Sequence, residues 1–147
     1  MKLRPLVESD AAMLFAWRCD SDVVHSSIKR ERPSEDGHRA WMIERMLAAR
    51  YKALIAEADD GASVGTCTFL VTEDGMVWLS YMVAPELRGR GVGAALVNEA
   101  LRNSGAREVL LEIREDNGRS LAVAIKCGFE EVLRRKDGFV QFRKVIA

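Results

Sequence analysis

The sequence predicts a mixed α/β fold: one seven-stranded, mostly antiparallel sheet carrying about four helices. Three observations lead there. Strand-like runs between positions 51 and 83 are separated by Asp59-Asp60-Gly61 and Glu73-Asp74-Gly75, which suit tight hairpins. Apolar residues recur at helical spacing after Asp10, Ser34, Gly91 and Asn117. The resulting order is a strand, two helices, three strands, a helix, a strand, a helix and two strands.

Lys2 to Val7 opens the chain as a short strand. Ser9 or Asp10 caps a helix through Ala11–Trp17. Asp20 to Pro33 is polar and weakly patterned, with no regular element assigned. Ser34 is a second cap, and Trp41, Met42, Ile43, Met46 and Leu47 form the stripe behind it. Strands follow over Tyr51–Ala58, Ser63–Thr72 and Met76–Val83, the last stopped by Pro85. Val92, Leu96, Ala100 and Leu101 share one helix face that ends near Gly105. Glu108–Ile113 is an aliphatic strand. Asn117 caps a helix over Leu121–Lys126, with Gly128 as its stop. Phe129–Arg135 and Phe139–Val145 are the closing strands around Asp137-Gly138.

The chain has 147 residues, a length for a single domain over 1–147. Lys and Arg number 22 against 22 Asp and Glu, a balance that argues against nucleic acid as the main partner but allows a small basic pocket. Cys19, Cys67 and Cys127 are odd in number and far apart, which suits a reducing compartment. With two histidines and no C-x-x-C, no metal site is expected. The longest charge-free stretch, Gly61–Thr72, is twelve residues, short of the ~20 a bilayer span needs. The opening residues hold no apolar leader, so a cytoplasmic protein without a membrane partner is expected.

The densest chemical signal is Arg88-Gly89-Arg90-Gly91-Val92-Gly93, between a strand and a helix. A helix start leaves amides unpaired and partly positive; glycines let an anion come close, and two arginines add charge. The turn suits a phosphate or diphosphate. It is not a P-loop, which would end in G-K-[ST] where this chain has Gly93-Ala94-Ala95. Nor is it a dinucleotide fingerprint, since Leu96 stands where the third glycine belongs.

Met82 to Gly93 resembles the acetyl-CoA motif of the GNAT acetyltransferase superfamily, whose [QR]-x-x-G-x-[GA] is met by Arg88, Gly91 and Gly93. Asn117, Ser120, Gly128 and Phe129 are similar to a second family block, N-x-x-[AS] with a terminal G-F. Arg4-Pro5-Leu6 and Trp17–Asp20 are similar to a branch that includes ribosomal-protein N-terminal acetyltransferases and nucleotide-sugar amine acetyltransferases. The resemblance implies a sheet splayed between its fourth and fifth strands, with the pantetheine arm of acetyl-CoA between them. It implies main-chain pairing of Met82 and Val83 with that arm, and the Val83 amide as donor to the thioester oxygen. Amides of Arg88, Gly89, Arg90, Gly91, Val92, Gly93 and Ala94 are then expected on the pyrophosphate, and Asn117 on the coenzyme. Lys126 and Arg119 suit the 3′-phosphate as well as they suit a solvated helix end.

The activity implied is direct acetyl transfer to a primary amine, on a peptide N-terminus, an amino sugar or another small molecule, by a monomer or homodimer. The amine must be neutral to attack. At pH 7 this costs about 1.4 kcal/mol for an α-amino group and about 4.6 for a lysine. Glu112 is the candidate base, with a solvated strand carboxylate as its plain alternative. Many relatives carry a general-acid tyrosine seven residues after the motif asparagine; here Ala124 holds that place. Three alternatives stand: water serves a thiol of pKa near 8.5, Ser120 or Tyr81 substitutes, or turnover has been lost and the chain is a coenzyme-binding module. Cys127 is expected as a small buried hydrophobe, Trp41 as core, and His25 and His38 as exposed polar residues.

Overall fold

The computed structural model describes residues 1–146. Its strands are β1 (Lys2–Pro5), β2 (Tyr51–Glu57), β3 (Ser63–Val71), β4 (Val77–Val83), β5 (Glu108–Arg114), β6 (Glu130–Arg134) and β7 (Phe139–Val145). They form one sheet in the order β1-β2-β3-β4-β5-β7-β6. Every neighbouring pair is antiparallel except β4 and β5, so the expected mixed sheet is observed. The helices are α1 (Ala11–Arg18), α2 (Ser21–Ser26), α3 (Glu35–Leu47), α4 (Val92–Arg102) and α5 (Gly118–Lys126). None of the described helices is long and apolar enough to cross a membrane.

The parallel β4–β5 pair shares one rung, Trp78 with Leu110. Beyond it the strands part, and the β4 edge from Leu79 to Val83 has no rung with β5. This is the expected splay. α4 and α5 cover one face of the sheet. Leu96, Val97, Ala100 and Ala124 pack there with Phe69, Leu79, Val109 and Leu111. At about 1.5–3 kcal/mol for each fully buried aliphatic side chain, this face holds α4 in place. The other face carries a second cluster, in which Leu14, Trp17 and Met42 meet Ala53 and Ile55. With helices on both sides, the middle of β2 is buried continuously, not alternately, from Ala53 to Ala56. The edge strand β6 is exposed along its length and bears Glu130, Glu131 and Arg134, a composition that discourages further strand pairing.

Two departures from the sequence reading have a clear local cause. β1 ends at Pro5 because the Val7 amide donates to Asp10 Oδ2 at 2.9 Å and starts the helical turn before α1. The stretch Asp20–Pro33 holds a fifth helix, α2, whose Asp20 carboxylate accepts from the Asp22 and Val23 amides. Six residues with no fully buried side chain leave no stripe to recognise.

Asp10 also takes two hydrogen bonds from Arg4, at 2.9 and 2.8 Å, and is 6% exposed. The Arg4 guanidinium holds its carboxyl below the usual carboxylate range. A depressed folded pKa gives stability that is present above the unfolded value, about 3.9, and is lost as pH falls through the folded one. Asp10→Ala is therefore expected to cost about 2 kcal/mol in urea melts at pH 7, with the gap to wild type closing below about pH 4.

Candidate active site

The splay opens a cleft of about 640 Å³. Its floor includes Thr66 and Thr68 from β3 and Ser80 from β4. One wall is the turn from Arg88 into α4 together with α5, and the other is α1, α2 and Trp41. Arg114 at the end of β5 donates through Nε to the Ser27 carbonyl at 2.6 Å and through Nη2 to the Ile28 carbonyl, fastening the segment after α2 across the gap. Arg30 adds an ion pair to Asp116 at 2.5 Å.

The turn before α4 differs from the starts of α2, α3 and α5. Asp20, Ser34 and Asn117 cap α2, α3 and α5 with their side chains. α4 begins at Gly91, with φ 77° and no side-chain cap. Gly89 also has φ 77°, and a Cβ built on either glycine meets no atom within 4 Å. From Arg88 to Ala94, no main-chain N–H donates to an acceptor among the described residues; Ala95 is the first, to Gly91 O at 3.2 Å. A run of free amides beside open space, at the positive end of an eleven-residue helix, has the chemistry to take a polyanion. Gly93 has another role: a Cβ there would sit 3.3 Å from Val123 and 3.6 Å from Val83, so it lets α4 approach β4 and α5.

The arginines of the turn diverge. Arg88 lines the cleft, but its guanidinium pairs with Asp20 at 2.6 Å and Asp22 at 3.2 Å, tying the turn to the cap of α2. Arg90 is exposed and outside the cleft lining. Met82 and Val83 line the cleft at the free edge of β4. Arg119 and Lys126 line its α5 side.

Tyr81, Ser120 and Asn117 meet inside the cleft. The Tyr81 hydroxyl donates to Ser120 Oγ at 3.1 Å, and Asn117 Nδ2 donates to the same oxygen at 3.1 Å. Asn117 Oδ1 accepts the Ser120 amide at 3.3 Å, which fixes the amide orientation. Two hydroxyls that share one hydrogen bond always leave one hydroxyl proton uncommitted, here for the cleft. Burial pushes the Tyr81 phenol above its ordinary value, so it stays protonated at neutral pH.

Glu112 stands apart from this group and does not line the cleft. Its Oε1 is paired with Arg135 and accepts from Gln141 Nε2 at 3.4 Å, both on the β7 side of β5. Ala124 is 0% exposed and packs in the core beneath α5, where a tyrosine ring would have no room. Cys127 is buried as expected; its Sγ lies 3.6 Å from Ala94 O, and burial pushes its thiol up. Cys67 is pushed up to about 12 by burial. His25 is exposed, but His38 is 5% exposed, correcting the expectation that both face solvent. Trp41 is half-buried and packs against the second apolar cluster, as expected, and it also lines the cleft. Arg18 beside it also lines the cleft. Among the described residues no group of three or more His, Cys, Asp or Glu gathers to hold a metal.

Known proteins are similar to this chain along almost its whole length. A spermidine N-acetyltransferase from Vibrio cholerae, solved with CoA and spermine, is 16% identical with a TM-score of 0.82, covering 98% of this chain and 94% of that one. An aminoglycoside acetyltransferase, AAC(6')-Ib, solved with coenzyme A, is 22% identical with a TM-score of 0.80, again over 98% and 94%. The ribosomal-protein-alanine N-acetyltransferase of Brucella melitensis is 23% identical with a TM-score of 0.75, over 99% and 100%. At these identities the likeness is one of fold. A 50-residue stretch is 42% identical to an uncharacterized protein of Mycobacterium leprae (strain TN), and covers 34% of this chain and 14% of that protein. The profile described as "Acetyltransferase (GNAT) domain" matches residues 1–130, and on that match, over a sheet splayed above a run of free amides, the chain belongs to the GNAT acetyltransferase family.

Proposed function

We propose that this chain is an N-acetyltransferase that moves the acetyl group of acetyl-CoA directly to a primary amine. The observation that carries this is the run of free amides from Arg88 to Ala94, in one cleft with the Tyr81–Ser120 hydroxyl pair. Acetyl-CoA supplies an activated acetyl thioester. The amides of Arg88, Gly89, Arg90, Gly91, Val92, Gly93 and Ala94 hold its pyrophosphate, and the free edge at Met82 and Val83 pairs with its pantetheine arm. The Val83 amide steadies the oxygen that gains charge as the amine attacks. Asn117 holds Ser120, and the spare proton of the Tyr81–Ser120 pair goes to the departing sulfur.

Glu112 fits the role of base poorly while its carboxylate is held by Arg135, so the amine gives its proton to cleft water. The acceptor is a peptide N-terminus or a small-molecule amine. The similar structures bear the names of enzymes for spermidine, an aminoglycoside and a ribosomal protein's alanine, which supports an amine without choosing one. A second reading, a coenzyme-binding module without turnover, is favoured by one observation: Ala124 stands in the core where relatives have their acid.

Thiol release from acetyl-CoA over a panel of primary amines tests both. Release above the amine-free rate with at least one amine, and a Glu112→Gln rate within about twofold of wild type, are expected from a base that is water. Binding of acetyl-CoA with no release from any amine would leave the module.

A further inference from the structure

We propose that the acceptor is an anionic amine, carrying a carboxylate or phosphate that binds Arg18 in the cleft wall; the identity of that anion as part of an acceptor rests on the transferase reading above.

Arg18 ends α1 and is half-buried, with its guanidinium carbon 4.2 Å from the centre of the Trp41 ring. Its Nη1 donates to His38 Nδ1 at 2.9 Å. His38 in turn donates from Nε2 to the Ala11 carbonyl at 2.9 Å, so its tautomer is set and its ring is neutral. Burial and the neighbouring Arg18 charge both lower the pKa of His38, which keeps it neutral. Arg18 thus has a rigid seat that does not cancel its charge.

No carboxylate pairs with it among the described residues. Asp20, the nearest acid in sequence, is committed to Arg88. Arg45, the other cation over the Trp41 ring at 4.8 Å, takes Glu44 at 2.8 Å, so that carboxylate is committed as well. A guanidinium has five N–H donors, and one is used here. Among the described residues no buried side-chain nitrogen lacks a partner, so the unused donors reach solvent space, and Arg18 lines the cleft. An unpaired, half-desolvated, preorganised guanidinium suits a planar carboxylate or a phosphate through paired hydrogen bonds.

The rest of the lining agrees. On the wall formed by α1, α2 and Trp41, the one carboxylate among the described lining residues is Asp22, and Arg88 holds it at 3.2 Å. A polyamine or an aminoglycoside would bring positive charge to a positive wall.

The test measures full-chain thiol release, each rate referred to the neutral fraction of its amine, with amines paired by the anion: glycine against glycinamide, and O-phosphoethanolamine against ethanolamine, with spermidine and kanamycin as polycations. Calorimetric titration of the same amines into the chain saturated with CoA runs alongside. In wild type, one anionic member should surpass its neutral partner in kcat/KM, and which pair responds separates carboxylate from phosphate. Arg18→Gln should raise KM for the anionic member about 10- to 100-fold, leave its neutral partner within about twofold, and barely change kcat. Arg18→Lys should restore part of the loss. Equal losses for anionic and neutral amines, or a wild-type preference for polycations, overturn the proposal while transfer stands. Should no amine release thiol, the transferase reading fails and calorimetry decides alone: heat with an anionic amine that Arg18→Gln abolishes upholds the anion site, and no heat overturns it. Should Arg18→Gln melt before assay temperature, the wild-type ranking and Arg18→Lys decide instead.

Discussion

Gly91→Val weakens coenzyme A binding by at least about 100-fold, the loss expected when two charge-assisted hydrogen bonds of about 1.5 kcal/mol each cannot form. The backbone at Gly91 has φ 77°, where a β-branched residue is strained by roughly 1–3 kcal/mol. Its side chain would enter the open space that the free amides face. The strain lowers the melting temperature by roughly 2–12 °C, at about 2–4 °C per kcal/mol, and the added side chain lies outside both apolar clusters. Calorimetry with CoA, beside a thermal melt, separates the two effects. A folded Gly91→Val chain that binds CoA as wild type does would remove the turn from the site.

Tyr81→Phe lowers kcat by about 100-fold, the scale of one positioned proton donor, with KM for acetyl-CoA little changed. Ser120→Ala does much the same. Because the two hydroxyls hand on one proton between them, the double variant is hardly worse than either single one. The pH profile is the sharper check. The acid works in its protonated form, present below its folded pKa, and burial pushes that value up. In wild type kcat should show no loss from this group as pH rises to about 10, the ordinary value for tyrosine, and decline only above it. A Tyr81→Phe enzyme with kcat within about twofold of wild type would return proton delivery to water.

The glycine turn before α4 was legible because its demand falls on residue type: left-handed backbone at positions 89 and 91 needs glycine, whatever surrounds it. Asn117 was legible for a similar local reason, since a cap and the residue it holds are three apart. The Tyr81–Ser120 contact joins residues 39 apart, and only the packing of α5 beside β4 brings them together; the sequence offered both names without the bond. Glu112 misled because strand alternation puts a carboxylate on a face but not toward a neighbour, and the partner, Arg135, lies 23 residues on, before the last strand. His38 misled because its burial comes with partners 20 and 27 residues away, Arg18 and the Ala11 carbonyl, which nothing local to α3 announces. Arg18 was legible only by its place in the N-terminal third; its free charge was not, since an arginine at a helix end is usually a solvated cation near the carbonyls.

The lone rung between Trp78 and Leu110 divides the molecule mechanically. Four strands lie on one side of that seam and three on the other, each plate stitched by its own continuous ladders. Across the seam, cohesion comes mainly from side chains beneath α4 and α5, on a single face. An extended guest lying along the bare lip of β4 would act as mortar between the plates, so occupancy would stiffen the whole sheet rather than one loop, and amide deuterium uptake would slow on both lips together.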